Sequence, residues 1–396
     1  MGVYLNGSQP YTQYKKMVDN PYFVDKSMIL TEIIPLIGHT LDYLCITRPR
    51  RFGKTVMANM IGAFLSKGVD SRDIFGQLAI ADTDFYESHI NRHDVIYISL
   101  NKLPKRCRTY DEYIAQIEDV LIQDLKEGYP HVEIDESEAV WDILTKIYTA
   151  DNSVRFVFVL DEWDFIFRCD FVTEQDEREY IRYLSNLLKD SAYISMVYMT
   201  GILPIAKYSS GSELNMFLEY TMVTEERFSD CFGFTETEVD DLYGKFLVKN
   251  ETPKVTRDGL RIWYGGYHTM SGECVYNPRS VVASLSNNNL GNYWTSSGPY
   301  DEIFYYIKKN VADVRYDLML MAAGEAVPAN VREYAATSMN LQTKDEIFSA
   351  MVVYGFLSYE KGKVSIPNKE LMDRFADMLR KESSLGCESS GQGIRA

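Results

Sequence analysis

Positions 47–55 read Thr-Arg-Pro-Arg-Arg-Phe-Gly-Lys-Thr, and this stretch decides the fold. It follows a short apolar run at 43–47 and precedes a segment, 55–65, whose apolar residues recur with helical spacing. Glycine followed by lysine and threonine, between a strand and a helix, is typical of a P-loop. In such a loop, backbone N–H groups at the helix start hold a phosphate. The sequence therefore predicts a nucleoside triphosphate site here.

Each residue of this loop has an expected role. Gly53 lets the backbone approach the phosphate, Lys54 reaches the β- and γ-phosphates from a solvent-facing position, and Thr55 offers its hydroxyl to Mg²⁺. The loop departs from the usual pattern at Arg48, where glycine is expected, and Pro49 removes a donor. An ordinary basic helix start is the alternative. The predicted nucleotide-binding residues are Arg50, Arg51, Phe52, Gly53, Lys54, Thr55 and Val56.

A second motif follows 107 residues after Lys54. Residues 156–160 form a continuous apolar run, typical of a strand buried on both faces, and Asp161 and Glu162 come directly after it. In this position an aspartate holds Mg²⁺ through water, and a glutamate polarises the attacking water. Asp164 either supports this pair or caps a helix.

A third candidate lies at the end of another apolar strand, residues 194–199, which Thr200 follows. We expect this strand to lie between the two motif-bearing strands, with Thr200 near the γ-phosphate; a turn threonine is the alternative. The expected roles are therefore catalytic for Lys54, Glu162 and Thr200, and metal-binding for Thr55 and Asp161. The expected cofactors are ATP and Mg²⁺.

Strands alternate with helices from about residue 40 to about residue 230, which predicts an α/β fold with a doubly wound parallel sheet. The spacing between the two motifs leaves room for the extra strand of AAA-like P-loop ATPases. We expect an ATPase domain over 1–234, a mainly helical lid with a small winged-helix-like module over 235–382, and a disordered tail over 383–396. The lid should bring a basic residue, Arg257 or Arg279, to the phosphates.

Charge and composition limit the partners. The chain has 41 Lys+Arg and 57 Asp+Glu, a net charge of −16, which repels the phosphate backbone of nucleic acid. Nucleic acid is therefore not an expected partner of this chain alone, whereas a second copy of the chain or another protein is. None of the six cysteines forms a C-x-x-C pair, so no zinc or redox motif is indicated. The start of the sequence lacks a signal peptide pattern and no membrane span is expected, so a cytoplasmic location is predicted.

Several stretches together resemble the predicted AAA-ATPase-like proteins, mostly bacterial, which often carry a C-terminal PD-(D/E)xK nuclease-like domain. The resemblance covers about residues 15–380 and implies that the arginine at position 48 is a family trait. It also implies that Tyr22 or Phe23 touches adenine. Trp163 stands where the family commonly has tyrosine, and no nuclease-like domain is expected here. The matching stretches are 22–27, 47–55, 160–164, 200–203, 232–235, 263–267 and 275–278.

These patterns predict Mg²⁺-dependent ATP binding and hydrolysis that drives or gates a conformational change. One alternative is an ATP-binding signalling or interaction module with little turnover, and another is the regulatory part of a nuclease-type system. A nucleic-acid translocase is disfavoured by the net charge.

Overall fold

The computed structural model describes residues 2–205, 208, 212–222, 226–294, 307, 314–331 and 341–389, with side chains described up to residue 380. The chain forms two compact units. The first comprises Met1–Thr47 and Gly53–Thr221, and the second comprises Arg48–Phe52 and Met222–Ala396. Five residues of the predicted P-loop stretch are therefore counted with the second unit. The domain limits at 234 and 382 remain predictions.

The first unit is built on a parallel sheet of five strands in the order β2-β3-β4-β1-β5. β4 lies between β1 and β3, as expected for the strand that ends at Thr200. β3 and β4 are buried along their whole length, which explains their unbroken apolar sequence. The strands are β1 (Tyr43–Thr47), β2 (Asp94–Ser99), β3 (Phe156–Asp161), β4 (Ile194–Gly201) and β5 (Leu218–Tyr220).

Helices cover both faces of this sheet. α3 packs on β2, β3 and β4 on one face, and α1 packs against α3. On the other face, apolar residues of the sheet share a core with α6, α7 and α8. The helices are α1 (Gln9–Val18), α2 (Leu30–Ile33), α3 (Lys54–Leu65), α4 (Arg72–Phe75), α5 (Phe85–His89), α6 (Tyr110–Gly128), α7 (Val140–Ala150) and α8 (Glu174–Leu188). The predicted doubly wound α/β fold is thus confirmed.

The second unit is partly helical, with two small three-stranded antiparallel sheets, ordered β6-β8-β7 and β10-β11-β9. Its strands are β6 (Phe234–Thr235), β7 (Tyr267–His268), β8 (Cys274–Tyr276), β9 (Val327–Pro328), β10 (Ser358–Glu360) and β11 (Lys363–Ser365). Its helices are α9 (Glu236–Lys249), α10 (Arg257–Tyr264), α11 (Pro278–Asn287), α12 (Val314–Ala322), α13 (Lys344–Tyr354) and α14 (Lys369–Ser389). The backbone is thus helical at 383–389, where the sequence predicted disorder, and residues 390–396 lie outside the described ones.

The segment Arg48–Phe52 belongs to the core of the second unit. Phe52 is only 1% exposed, and its ring meets the ring of Tyr267 edge-on at 4.9 Å. The buried Arg48 guanidinium lies 4.9 Å from the ring centre of Phe232 and donates a hydrogen bond to the Phe228 carbonyl at 3.2 Å. The residue that replaces the first P-loop glycine is therefore a packed structural residue.

Within the described residues, the helices are too short or too polar to traverse a bilayer.

Candidate nucleotide-binding site

The site begins at the start of α3. Gly53 precedes the helix with φ 92°, ψ 6°, a left-handed conformation that a side chain disfavours. A Cβ built there would meet no atom within 4 Å, so backbone conformation, not space, is what requires glycine. The first helical bond runs from Met57 N–H to the Gly53 carbonyl at 2.9 Å. The earlier N–H groups thus have no partner within the helix and form its positive end.

Lys54 is buried, with 6% of the residue exposed, so the expectation of a solvent-facing side chain is wrong. The reason is that Lys54 opens a helix that packs on the sheet, and its charge faces three carboxylates of the same unit. Burial lowers the pKa of Lys54 to about 8, while the negative charges of Asp164, Glu162 and Asp161 oppose that decrease. Phosphate oxygens would add further negative charge, which a buried ammonium group favours.

Asp161 and Thr200 end neighbouring strands and are register partners. Both residues are 0% exposed, and in the described part of the chain neither Asp161 oxygen nor the Thr200 hydroxyl has a hydrogen-bond partner. Burial raises the pKa of Asp161 to about 7, and the nearby Thr55 hydroxyl limits the rise without reaching hydrogen-bond geometry. Unpaired buried oxygens are costly unless water or a cation satisfies them. A carboxylate and hydroxyls are ligands that suit Mg²⁺.

Glu162 and Asp164 differ in how firmly they are held. Glu162 follows β3 with a left-handed φ of 56°, and its Oε2 lies 3.9 Å from the Arg168 guanidinium. The Asp164 carboxylate is fully buried; its Oδ2 accepts hydrogen bonds from Arg168 at 2.7 Å and from Leu203 N–H at 3.2 Å. No helix begins at this carboxylate, since the nearby 3-10 helix starts at Ile166, and a role of Asp164 in supporting Asp161 and Glu162 remains a prediction.

Arg168 was missed by the sequence analysis. It ends a short 3-10 helix, Ile166–Arg168, and only 15% of its side chain is exposed. Its spacing of four residues from Asp164 is the signal that would have indicated a pair, since residues at this separation face each other on a helical turn.

The first unit therefore brings together Gly53, Lys54, Thr55, Asp161, Glu162 and Thr200 where β3 and β4 end and α3 begins. Val56 lies in the first turn of α3 and is half-buried. Arg50, Arg51 and Phe52 are counted with the second unit, so their contact with nucleotide remains a prediction.

Four residues outside this cluster were also expected to contact the nucleotide. Arg257 is engaged within the second unit: it pairs with Glu236 and with Asp240, and it donates to the Tyr276 hydroxyl at 3.0 Å. Arg279 is exposed. Tyr22 is buried, and the Phe23 ring meets Tyr14 edge-on at 6.1 Å, so adenine contact by either remains a prediction.

A parallel sheet in this order, a glycine-started helix after β1 and an acidic pair after β3 define a P-loop nucleoside triphosphatase fold. The chain belongs to the predicted AAA-ATPase family, whose sequence profile matches residues 10–210.

Other similarities are weaker. An Azotobacter chroococcum mcd 1 protein, described as an uncharacterized protein in the vnfD 5′ region, is 26% identical over 285 residues, which cover 71% of this chain and 51% of that protein. The chain thus spans about half the length of this curated relative. The Walker-type ATPase paby2304 of Pyrococcus abyssi has 10% identity and a TM-score of 0.45, with 89% of this chain and 94% of that one covered. The Aeropyrum pernix ORC2 protein (ADPNP-ADP complexes) has 10% identity and a TM-score of 0.38, with 95% and 94% covered. Structural similarity at this level does not indicate a function for the chain.

Proposed function

We propose that the first unit binds ATP with Mg²⁺ and hydrolyses it, and that the cycle drives or gates a conformational change. One observation carries the proposal. A buried lysine at a glycine-started helix faces a buried aspartate whose two oxygens have no hydrogen-bond partner among the described residues. A cation beside Asp161 would satisfy its two oxygens, and the positive charge of Lys54 would attract the phosphate groups that carry that cation.

The residues of this chain have distinct tasks in the proposal. The N–H groups at the start of α3 and the Lys54 ammonium bind and orient the phosphates. Thr55 and Asp161 would hold Mg²⁺, which when bound neutralises charge on the phosphate oxygens. Glu162, 31% exposed, orients the attacking water and accepts a hydrogen bond from it. Thr200 offers its buried hydroxyl next to Asp161.

A slowly hydrolysing ATP-dependent switch is the second candidate. The observation that favours it is the ion pair between Glu162 and Arg168, because an engaged glutamate polarises water less readily. Such a switch needs only different nucleotide affinities in two states.

Steady-state turnover and calorimetric ATP binding with Mg²⁺ test the proposal, using Lys54→Ala and Glu162→Gln. Lys54→Ala should abolish binding, and Glu162→Gln should keep binding while turnover falls roughly 10²–10⁴-fold. Because Lys54 is buried, thermal unfolding must show that its variant is folded. The matched controls are Lys16→Ala and Glu174→Gln, both exposed residues of the same unit. Unchanged ATP affinity in folded Lys54→Ala would refute the site, and unchanged turnover in Glu162→Gln would remove Glu162 from the reaction.

A further inference from the structure

The Asp164 carboxylate is buried and held by hydrogen bonds within the first unit. Its side chain is 0% exposed, and its Oδ2 accepts the Leu203 N–H that follows β4. A Cβ on Gly201 would approach its Oδ1 to 2.7 Å, so this carboxylate is packed tightly against the end of β4. The backbone N–H of Trp163 also donates a hydrogen bond to the Thr200 carbonyl at 3.0 Å. The segment after Glu162 is thereby tied to the neighbouring strand.

Arg168 takes its position from Asp164. One terminal nitrogen of its guanidinium lies 2.7 Å from Asp164 Oδ2, and the other lies 3.9 Å from Glu162 Oε2. The Arg168 side chain is largely buried, so solvent screens its ion pair with Asp164 much less than it screens a surface pair. A planar guanidinium has fixed directions for its donors, so anchoring one nitrogen also sets the direction of the other.

Glu162 is held loosely by comparison. Its 3.9 Å separation from Arg168 is longer than a hydrogen bond, and about a third of its side chain is exposed. Its carboxylate therefore stays able to accept a hydrogen bond from water. The nearby cation nevertheless favours side-chain conformations that keep the carboxylate on the Arg168 side.

We propose that Arg168 is a positioning residue for ATP hydrolysis, which orients the Glu162 carboxylate from a support fixed by Asp164. This inference rests on the proposed function. The competing role is direct contact between the Arg168 guanidinium and the transferred phosphate. That role is less favoured because Arg168 already binds the buried Asp164 at 2.7 Å.

The experiment compares kcat, KM and ATP affinity in Arg168→Gln, Arg168→Lys and the matched control Arg178→Gln. Arg178 of the same unit also lies 3.9 Å from a glutamate, Glu174, but both of these side chains are exposed. Arg168→Gln should lower kcat about 10- to 100-fold, the range seen when a supporting hydrogen-bond partner is lost. ATP affinity and Arg178→Gln activity should stay unchanged. Arg168→Lys should recover part of kcat, because an ammonium keeps the charge but not the two-sided fork.

A double variant shows whether Arg168 acts through Glu162. Glu162→Gln combined with Arg168→Gln should be no slower than Glu162→Gln alone, since residues that act as one unit are not additive. The inference is overturned if the two losses multiply, if Arg168→Gln turns over as fast as or faster than the wild type, or if it weakens ATP binding but not ADP binding. If the wild type itself neither binds nor hydrolyses ATP, the proposed function fails and this role falls with it. If Glu162→Gln is slow and Arg168→Gln is not, only the role of Arg168 fails.

Discussion

The affinity for ATP should depend on pH through Lys54. Burial lowers the pKa of this ammonium group to about 8, against the opposing charges of Asp164, Glu162 and Asp161. Phosphate binds the charged form, so bound nucleotide raises the pKa of Lys54. Well below pH 8 the group is already charged and its contribution to affinity is constant. Above that pH, binding requires proton uptake and the affinity falls.

The size of the effect follows from that pKa. One pH unit above it, roughly one molecule in eleven carries the charge, so the dissociation constant for ATP should rise about tenfold, or ~1.4 kcal/mol. The terminal phosphate of ATP does not contribute, since a phosphate group with a second pKa of about 6 is ionised throughout this range.

Calorimetry without Mg²⁺, from about pH 7.5 to about pH 9.5, measures the dissociation constant for ATP and the proton uptake on binding. Titrations in two buffers of different ionisation enthalpy give the number of protons taken up, which should approach one at the alkaline end. The arginine of Lys54→Arg keeps its charge at every pH tested, so the ATP affinity of this variant should not decrease as the pH rises. Asp161, with a pKa of about 7, is retained in both proteins, so any effect of that group appears in both. An affinity that stays level above pH 8, or binding with no proton uptake, would refute the argument.

Three further variants test separate parts of the site and its surroundings. Asp161→Asn should remove the gain in ATP affinity that Mg²⁺ provides while leaving Mg²⁺-free binding, measured by calorimetry with and without the metal; an unchanged gain would place the metal elsewhere. Thr200→Val removes a buried hydroxyl and keeps the shape, so kcat should fall about 10²-fold with unaltered affinity, and equal kcat would make Thr200 a packing residue. Phe52→Ala should cost about 3–5 kcal/mol in urea-induced unfolding because Phe52 is 1% exposed, with Phe52→Leu losing less; no loss would contradict its place in a core.

The sequence predicted most of the sheet, because buried parallel strands are long apolar runs. The run at 156–160 is β3 and the run at 194–199 is β4, each extended by one or two polar residues at its end. The start of α9 is also a local feature, because the Thr235 hydroxyl accepts the Glu238 N–H and so caps the helix. The hairpin of β10 and β11 is local in the same way, since its two antiparallel strands are joined by the short turn at Lys361 and Gly362.

The small sheets of the second unit were less predictable. β6 and β7 have two residues each, too short for a period-2 pattern, and β6 pairs with β8, a strand that is remote from it along the chain. Ser27 precedes an apolar run, as a helix cap does, yet its hydroxyl accepts the Ile80 N–H from another segment. Local sequence cannot reveal such a non-local partner.

For the candidate site, the sequence indicated which residues lie together in the first unit, but it did not indicate their environments, and their roles remain predictions. Gly53, Lys54, Asp161 and Thr200 were identified because motif spacing and strand ends place them. The burial of Lys54 depends on how α3 packs against the sheet, which no local pattern states. Arg168 was overlooked since its partners are defined by the turn that follows β3.

The membership of Arg48–Phe52 in the second unit has a consequence for how this protein can be divided. A fragment that ends at Thr221 would keep Phe52 and Arg48 but lose Tyr267, Phe228 and Phe232, the groups around them. An apolar ring and a desolvated guanidinium would then be left without their surroundings, directly beside the start of α3. The second unit is therefore not a contiguous cassette. Exchanging it between homologous chains should require exchanging residues 48–52 as well.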